Sequence, residues 1–135
     1  MSVAFTVPGE PKSKGRPRFS KKTGHARTPA ATVMFENKVA TFAREAHKGA
    51  PLKGPLEVRV QAFFAWPKSD HRKREPRLSA WMGKGKDLDN IVKAVLDGME
   101  GIVFGNDSQV ASIIAAKMRP QQDEPSRTHV RVRAL

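Results

Sequence analysis

Leu88-Asp89-Asn90-Ile91-Val92-Lys93-Ala94-Val95-Leu96-Asp97-Gly98-Met99 places Ile91, Val92, Val95, Leu96 and Met99 in one apolar stripe at helical spacing, with Gly101 just past the end. A helix here has to pack on something. Upstream, Leu56-Glu57-Val58-Arg59-Val60-Gln61-Ala62 alternates strictly, the pattern of a half-buried strand, extending through Phe63 to Trp66 with Pro67 closing it. Downstream, Val110 to Met118 reads as a strand of nearly continuous apolar character, and Thr128 to Arg133 alternates again. At the front, Val3 to Val7 is a short strand ended by Pro8 and Gly9. Thr28-Pro29 has the form of an N-cap followed by proline at the first helical position. The helix it opens runs to about His47 or Lys48, with Phe35, Val39, Phe42, Ala43 and Ala46 on one face and Gly49 as its stop. The order is β-α-β-α-β-β. Two helices are too few to cover both faces of a parallel sheet. The expectation is an α+β fold: a small mixed, largely antiparallel four-stranded sheet with both helices on one face. At 135 residues this is one domain, spanning 1–135.

Lys and Arg number 25 against 13 Asp and Glu, a net charge of +12. The isoelectric point near 10.6 is that of a nucleic-acid binder. A membrane-surface protein would show an amphipathic helix with one basic face, and none is clean here. Residues 1–20 lack the apolar core of a signal peptide, and no apolar run approaches the ~20 residues of a membrane span. There are no cysteines, which removes disulfides and thiolate metal sites. The four histidines are scattered without ligand spacing, and no Ser-His-Asp arrangement or phosphate-cradling glycine loop is present.

Against that basic background, five acids fall between residues 87 and 107: Asp87, Asp89, Asp97, Glu100 and Asp107. Asp87 and Asp89 flank the start of the second helix, where one acid would serve as a cap or meet the helix dipole. Two carboxylates two residues apart, with Asp107 beyond the helix, also suit a hard divalent cation such as Mg²⁺, which takes oxygen ligands and completes its shell with water and substrate phosphate. Such a cation offsets the charge that develops on a phosphodiester under attack. Composition and spacing alone leave metal site and surface acids equally open. Lys93 lies four residues after Asp89 and four before Asp97. It is either one rung of an exposed ion-pair ladder or an ammonium set beside the scissile phosphate.

Asp87-Leu88-Asp89-Asn90-Ile91-Val92-Lys93-Ala94-Val95-Leu96-Asp97-Gly98, followed by Asn106-Asp107-Ser108-Gln109-Val110, resembles the signature of RusA-type Holliday-junction resolvases. The early run Lys14-Gly15-Arg16-Pro17-Arg18 resembles that family's N-terminal basic segment. The resemblance implies a homodimeric, Mg²⁺-dependent endonuclease, with Mn²⁺ as a substitute, that resolves four-way DNA junctions by paired symmetric nicks in recombination and repair. It implies that Asp87, Asp89 and Asp107 are the catalytic, metal-holding carboxylates and Lys93 the catalytic lysine. Members are often of phage or prophage origin, so the expected location is the bacterial cytoplasm, nucleoid-associated when DNA is bound. Asn106 departs from the pattern, which often has two consecutive acids there; the essential role then falls to Asp107. Phe104 stands where an aromatic residue such as tryptophan is common. Gln109 is either a strand-initiating polar residue or a support for the metal site.

Two basic, irregular segments are expected to be mobile loops that wrap phosphates. The leading candidates for DNA contact are Lys14, Arg16 and Arg18, then Arg72, Lys73 and Arg74. Phe19 and Trp81 sit among these charges and either stack on unpaired bases or pack in the core. Two other functions fit parts of the sequence. A non-catalytic basic nucleic-acid-binding protein would bind without cutting and ignore Mg²⁺. A metal-dependent nuclease for flaps or other branched DNA would use the same carboxylates. If the chain is a dimer, the end of the second helix or the third strand is the expected contact.

Overall fold

The structure, a computed structural model, describes every residue except 16, 17, 20–23, 25 and 28, and the backbone alone at 18, 19, 26 and 27. The chain runs β1 (Ser2–Pro8), β2 (Arg18–Phe19), β3 (Ala26–Arg27), α1 (Ala30–Ala46), β4 (Leu56–Phe63), β5 (Ala80–Trp81), α2 (Leu88–Met99), β6 (Val110–Arg119) and β7 (Arg127–Ala134). The main sheet is ordered β1-β7-β4-β6-β5, and β2 and β3 form a separate small hairpin.

The α+β class and the two helices are as the sequence indicates. The sheet differs from expectation in two respects. It has five strands, because the two-residue β5 pairs antiparallel with β6 at Ala80–Arg119 and Trp81–Met118. Its central pair, β4 and β6, is parallel, while β1–β7 and β4–β7 are antiparallel. A parallel pair needs a crossover of a dozen or more residues. The long connection through α2 supplies it, so a single helix suffices for one parallel ladder. β4 also ends at Phe63, short of Trp66.

Both helices pack on one face of the sheet. Val3 and Val7, Val58 and Val60, and Val130 and Val132 point into a core shared with Phe35, Val39 and Ala43 of α1 and Val92, Val95 and Met99 of α2. Each fully buried valine contributes roughly 1.5–3 kcal/mol of transfer free energy. β4 is more enclosed than its alternation suggests: Glu57 is 7% exposed and Phe63 9%, since neighbouring strands flank it on both sides. α1 begins at Ala30 with Pro29 as its N-cap and no side-chain capping bond; Thr28, the expected cap, lies outside the described residues.

The helices cross at Gly98. A Cβ there would sit 2.8 Å from Val39 Cβ and 2.9 Å from the Glu36 carbonyl oxygen. Only glycine lets the backbones approach so closely, and this contact fixes where α2 lies against α1. Among the described residues the opposite face of the sheet carries no helix. There Ala4, Thr6, Arg59, Gln61, Ile114, Ala116, His129 and Arg131 line an open concavity of about 690 Å³.

Candidate active site

α2 carries Asp89 in its first turn and Lys93 one turn later, so both lie on the same face. Asp107 comes from a separate segment, a single 3-10 turn over Asp107–Gln109 that leads into β6. These three side chains meet along one open cavity of about 430 Å³ between α2 and β6. The remaining wall is apolar: Leu88, Val92 and Leu96 from the helix and Ile113 and Ala115 from the strand. Apolar walls lower the local dielectric and strengthen whatever charge interaction occurs there.

Asp87 lies outside that lining, one residue before α2 and exposed. It occupies the N-cap position, yet its side chain makes no capping bond. Capping therefore does not account for it. Of the two readings of Lys93, the ion-pair ladder is not formed: among the described residues the Asp97 carboxylate pairs with Lys14 and no ion pair joins Lys93 to Asp89.

The turn that presents Asp107 is tightly built. The Asn106 side chain accepts from the Ser108 N–H at 2.8 Å. Gln109 Oε1 accepts from the N–H groups of Gly105 and Asn106, at 3.0 and 3.1 Å. Its Nε2 donates to the carbonyls of Leu52 and Gly54, at 3.0 and 3.1 Å. Gln109 thus ties the Asp107 turn to the loop before β4. Asn106 works as a helical cap, a task a second carboxylate would perform while adding charge. The Glu100 carboxylate accepts from the Asp107 N–H at 3.3 Å. Phe104, shortly before this turn, is fully buried.

Two lysines fix the start of α2. Lys117 Nζ donates to the carbonyls of Lys84 and Lys86, at 2.8 and 2.7 Å, and so holds the loop entering Asp87. The sequence reading passes over Lys117, although a lone charge inside the apolar run of β6 is a signal. The Lys14 N–H donates to the Asn90 carbonyl at 2.8 Å. Lys14 Nζ lies 2.6 Å from Glu36 on α1 and 3.0 Å from Asp97 on α2. Those contacts, the Glu36 bond foremost, raise the Lys14 pKa above its ordinary value. The sequence sets Lys14 against DNA phosphate; in the structure its ammonium is engaged by two carboxylates of the protein itself.

The other expected DNA contacts are placed unevenly. Arg72, Lys73 and Arg74 are exposed on the loop between β4 and β5. Arg16 lies outside the described residues, as does the side chain of Arg18 on β2. The Phe19 side chain is likewise outside them. Trp81 is 77% exposed on β5, so it is not a core residue.

Among the described residues no three acidic or histidine side chains form a metal cluster. The donor set still fits a hard divalent cation. Two carboxylates, Asp89 and Asp107, face one open cavity, and a cation of the Mg²⁺ type asks for one or two carboxylates plus water and substrate oxygens.

Carboxylates and a lysine converging from separate segments, in a chain of net charge +12, suit the class of phosphodiester-cleaving nucleases. The chain belongs to the RusA endodeoxyribonuclease family, whose model, described as "Endodeoxyribonuclease RusA", matches residues 8–133. It is also similar to "Uncharacterized protein YqaN" of Bacillus subtilis (strain 168), with 33% identity over 140 residues, covering 98% of this chain and 96% of that protein. Membership makes this an endodeoxyribonuclease of a family that acts on branched DNA and generally depends on a divalent metal. No helix among the described residues is long and apolar enough to cross a membrane.

Proposed function

We propose that this protein resolves four-way DNA junctions by paired symmetric nicks, as a homodimer using Mg²⁺. The observation that carries the reading is the meeting of Asp89, Lys93 and Asp107, drawn from a helix and a distant turn, along a single open cavity. Asp89 and Asp107 hold the cation, with Asp87 available from the start of the helix. Bound there, Mg²⁺ supplies charge neutralisation at the scissile phosphate and an activated water. Lys93, on the same helical face as Asp89, places an ammonium where negative charge builds on the phosphate oxygens. Arg72, Lys73 and Arg74, with Arg16 and Arg18, contact the backbone of the arms and read no sequence. A four-way junction has two-fold symmetry, and two nicks related by that symmetry ask for two active sites in a two-fold dimer.

The test is cleavage of a synthetic four-way junction and of its linear duplex counterpart, in Mg²⁺ and in EDTA, with Asp89→Asn alongside. The expected result is paired nicks in the junction alone, lost in EDTA and in the variant. The variant should bind the junction as well as or better than wild type, because one repulsive charge near DNA is gone. Equal loss of binding and cleavage would make Asp89 structural. Cutting of flaps in preference to junctions would move the substrate while keeping the site.

A further inference from the structure

Arg72, Lys73 and Arg74 sit on a segment whose sequence is irregular and highly charged, the composition of a mobile loop. The structure closes that segment with one side chain from far along the chain. Gln122, 9% exposed, accepts from the N–H groups of Arg72 and Arg77 through Oε1, at 2.9 and 3.1 Å. Its Nε2 donates to the Arg72 carbonyl at 2.9 Å. Its own N–H donates to the Arg77 carbonyl at 3.0 Å. All four bonds grip the two ends of the turn 72–77. Between them Glu75 has φ 51°, a conformation an L side chain rarely takes unless its surroundings impose it.

The C-terminal end is fastened a second time. The Arg77 guanidinium lies 4.9 Å from the centre of the Trp66 ring, and its Nε donates to the Asp70 carbonyl at 2.6 Å. Trp66 Nε1 in turn donates to the Pro120 carbonyl at 2.6 Å, two residues before Gln122. Arg72, Lys73 and Arg74 project from this clasped base, all exposed and in no ion pair among the described residues.

We infer that the turn 72–77 is a preformed docking platform for the phosphodiester backbone of a DNA arm, and that Gln122 is the positioning residue that preforms it. The inference rests on the endonuclease reading above and adds to it. A free loop bearing three cations loses its freedom when phosphate binds it; a clasped one has already lost it, so more of the charge attraction is expressed as affinity. Gln122 carries no charge and touches no DNA in this scheme. Its removal therefore leaves the cation count unchanged.

The test is a thermodynamic cycle read by equilibrium binding of a synthetic four-way junction in EDTA, where no cleavage occurs. Wild type is compared with Gln122→Ala, with the triple variant Arg72→Ala/Lys73→Ala/Arg74→Ala, and with all four changes together. Gln122→Ala is expected to weaken binding about 10-fold, in line with lost preorganisation. The triple variant should weaken it and flatten the salt dependence by about 0.9 in slope for each phosphate that is no longer neutralised. In the triple background Gln122→Ala should have no further effect, since nothing remains to be positioned. A binding constant unchanged by Gln122→Ala, or an equal loss in both backgrounds, would overturn the inference. Hydrogen exchange in the wild type gives a second reading should the variant fail to fold. Protected amides at Arg72 and Arg77 are required, and rapid exchange at either overturns the clasp. Junction cleavage intact with Gln122→Ala binding unchanged defeats this inference alone, whereas a wild type that binds no DNA defeats the function proposed above as well.

Discussion

Lys117 braces the approach to the candidate site without lining its cavity. Its ammonium bridges two carbonyls in the loop that delivers Asp87 to the start of α2. A cation caged by carbonyl oxygens is a short, directional tie, and Lys117→Met would free the loop. Supporting groups of this kind around metal-binding carboxylates typically cost 10–100-fold when removed. Lys117→Met is therefore expected to lower the cleavage rate about 10-fold or more at saturating Mg²⁺, with Lys117→Arg recovering part of the loss. A cleavage rate unchanged in Lys117→Met would mean that Asp87 either needs no such placement or plays no part in the chemistry. Asp89 and Lys93 share a helical face that the spacing shows, whereas composition and spacing leave the role of the acids open, and only the family resemblance singles out Asp89, Lys93 and Asp107 together. Lys117, Lys14 and Gln122 act across contacts with residues remote in the chain, and no local pattern encodes such partners. Lys14 in particular stands among basic neighbours in the sequence, whereas its role is set by Glu36 and Asp97.

At the scale of elements, the decisive contact is α1 against α2. α2 is legible to the residue because its apolar stripe is unbroken, and Gly98 looks ordinary within it. The reason for glycine lies in the partner helix. Gly98→Ala would place a methyl 2.8 Å from Val39 and 2.9 Å from a backbone oxygen, a clash that cannot be relieved by a side-chain rotation alone. Alanine gains about 1 kcal/mol of helix propensity over glycine. Overpacking a close contact costs about 1–3 kcal/mol. The expected net result is destabilisation of up to about 2 kcal/mol in urea unfolding, with a fall in cleavage because α2 shifts against β6. Val39→Ala added to Gly98→Ala should recover only part of it, since the Cβ at position 39, which alanine keeps, and the Glu36 carbonyl both remain in the way. A more stable Gly98→Ala protein would show that the helices separate freely. The parallel pairing of β4 with β6 escapes the sequence for a related reason. Alternation in one strand and a continuous apolar run in the other report burial, and neither reports strand direction. β5, at two residues, is too short to show any period.

For the molecule as a whole, a charge of +12 has to be carried without unfolding the sheet, and the helix-free face shows how this is done. Glu57 is the near-buried acid of that face. Arg133 donates to it at 2.7 Å, Arg59 at 3.4 Å, and the Arg133 bond above all holds its pKa below the usual carboxylate value. His129 meets the opposite problem. Its Nε2 accepts from Arg127 Nε at 3.1 Å, so the ring proton sits on Nδ1, 2.6 Å from Thr6 Oγ1. Burial first, then the Arg127 charge, lowers its pKa below 6.5, with Glu124 opposing. A histidine whose folded pKa lies below its unfolded value binds fewer protons folded than unfolded in the interval between them. Its stabilising contribution is complete above about pH 6.5 and declines as pH falls through that interval. Glu57, with its pKa depressed, contributes fully above about pH 4.5 and loses its share only below that. The thermal midpoint should therefore hold steady above neutrality, decline from about pH 6.5 downward, and decline further below about pH 4.5. His129→Phe should remove the first decline and leave the second, measured by thermal unfolding at fixed ionic strength across that range. An identical decline in wild type and His129→Phe would show that the β1–β7–β4 face tolerates an imidazolium beside Arg127, and that the first titration belongs to another group.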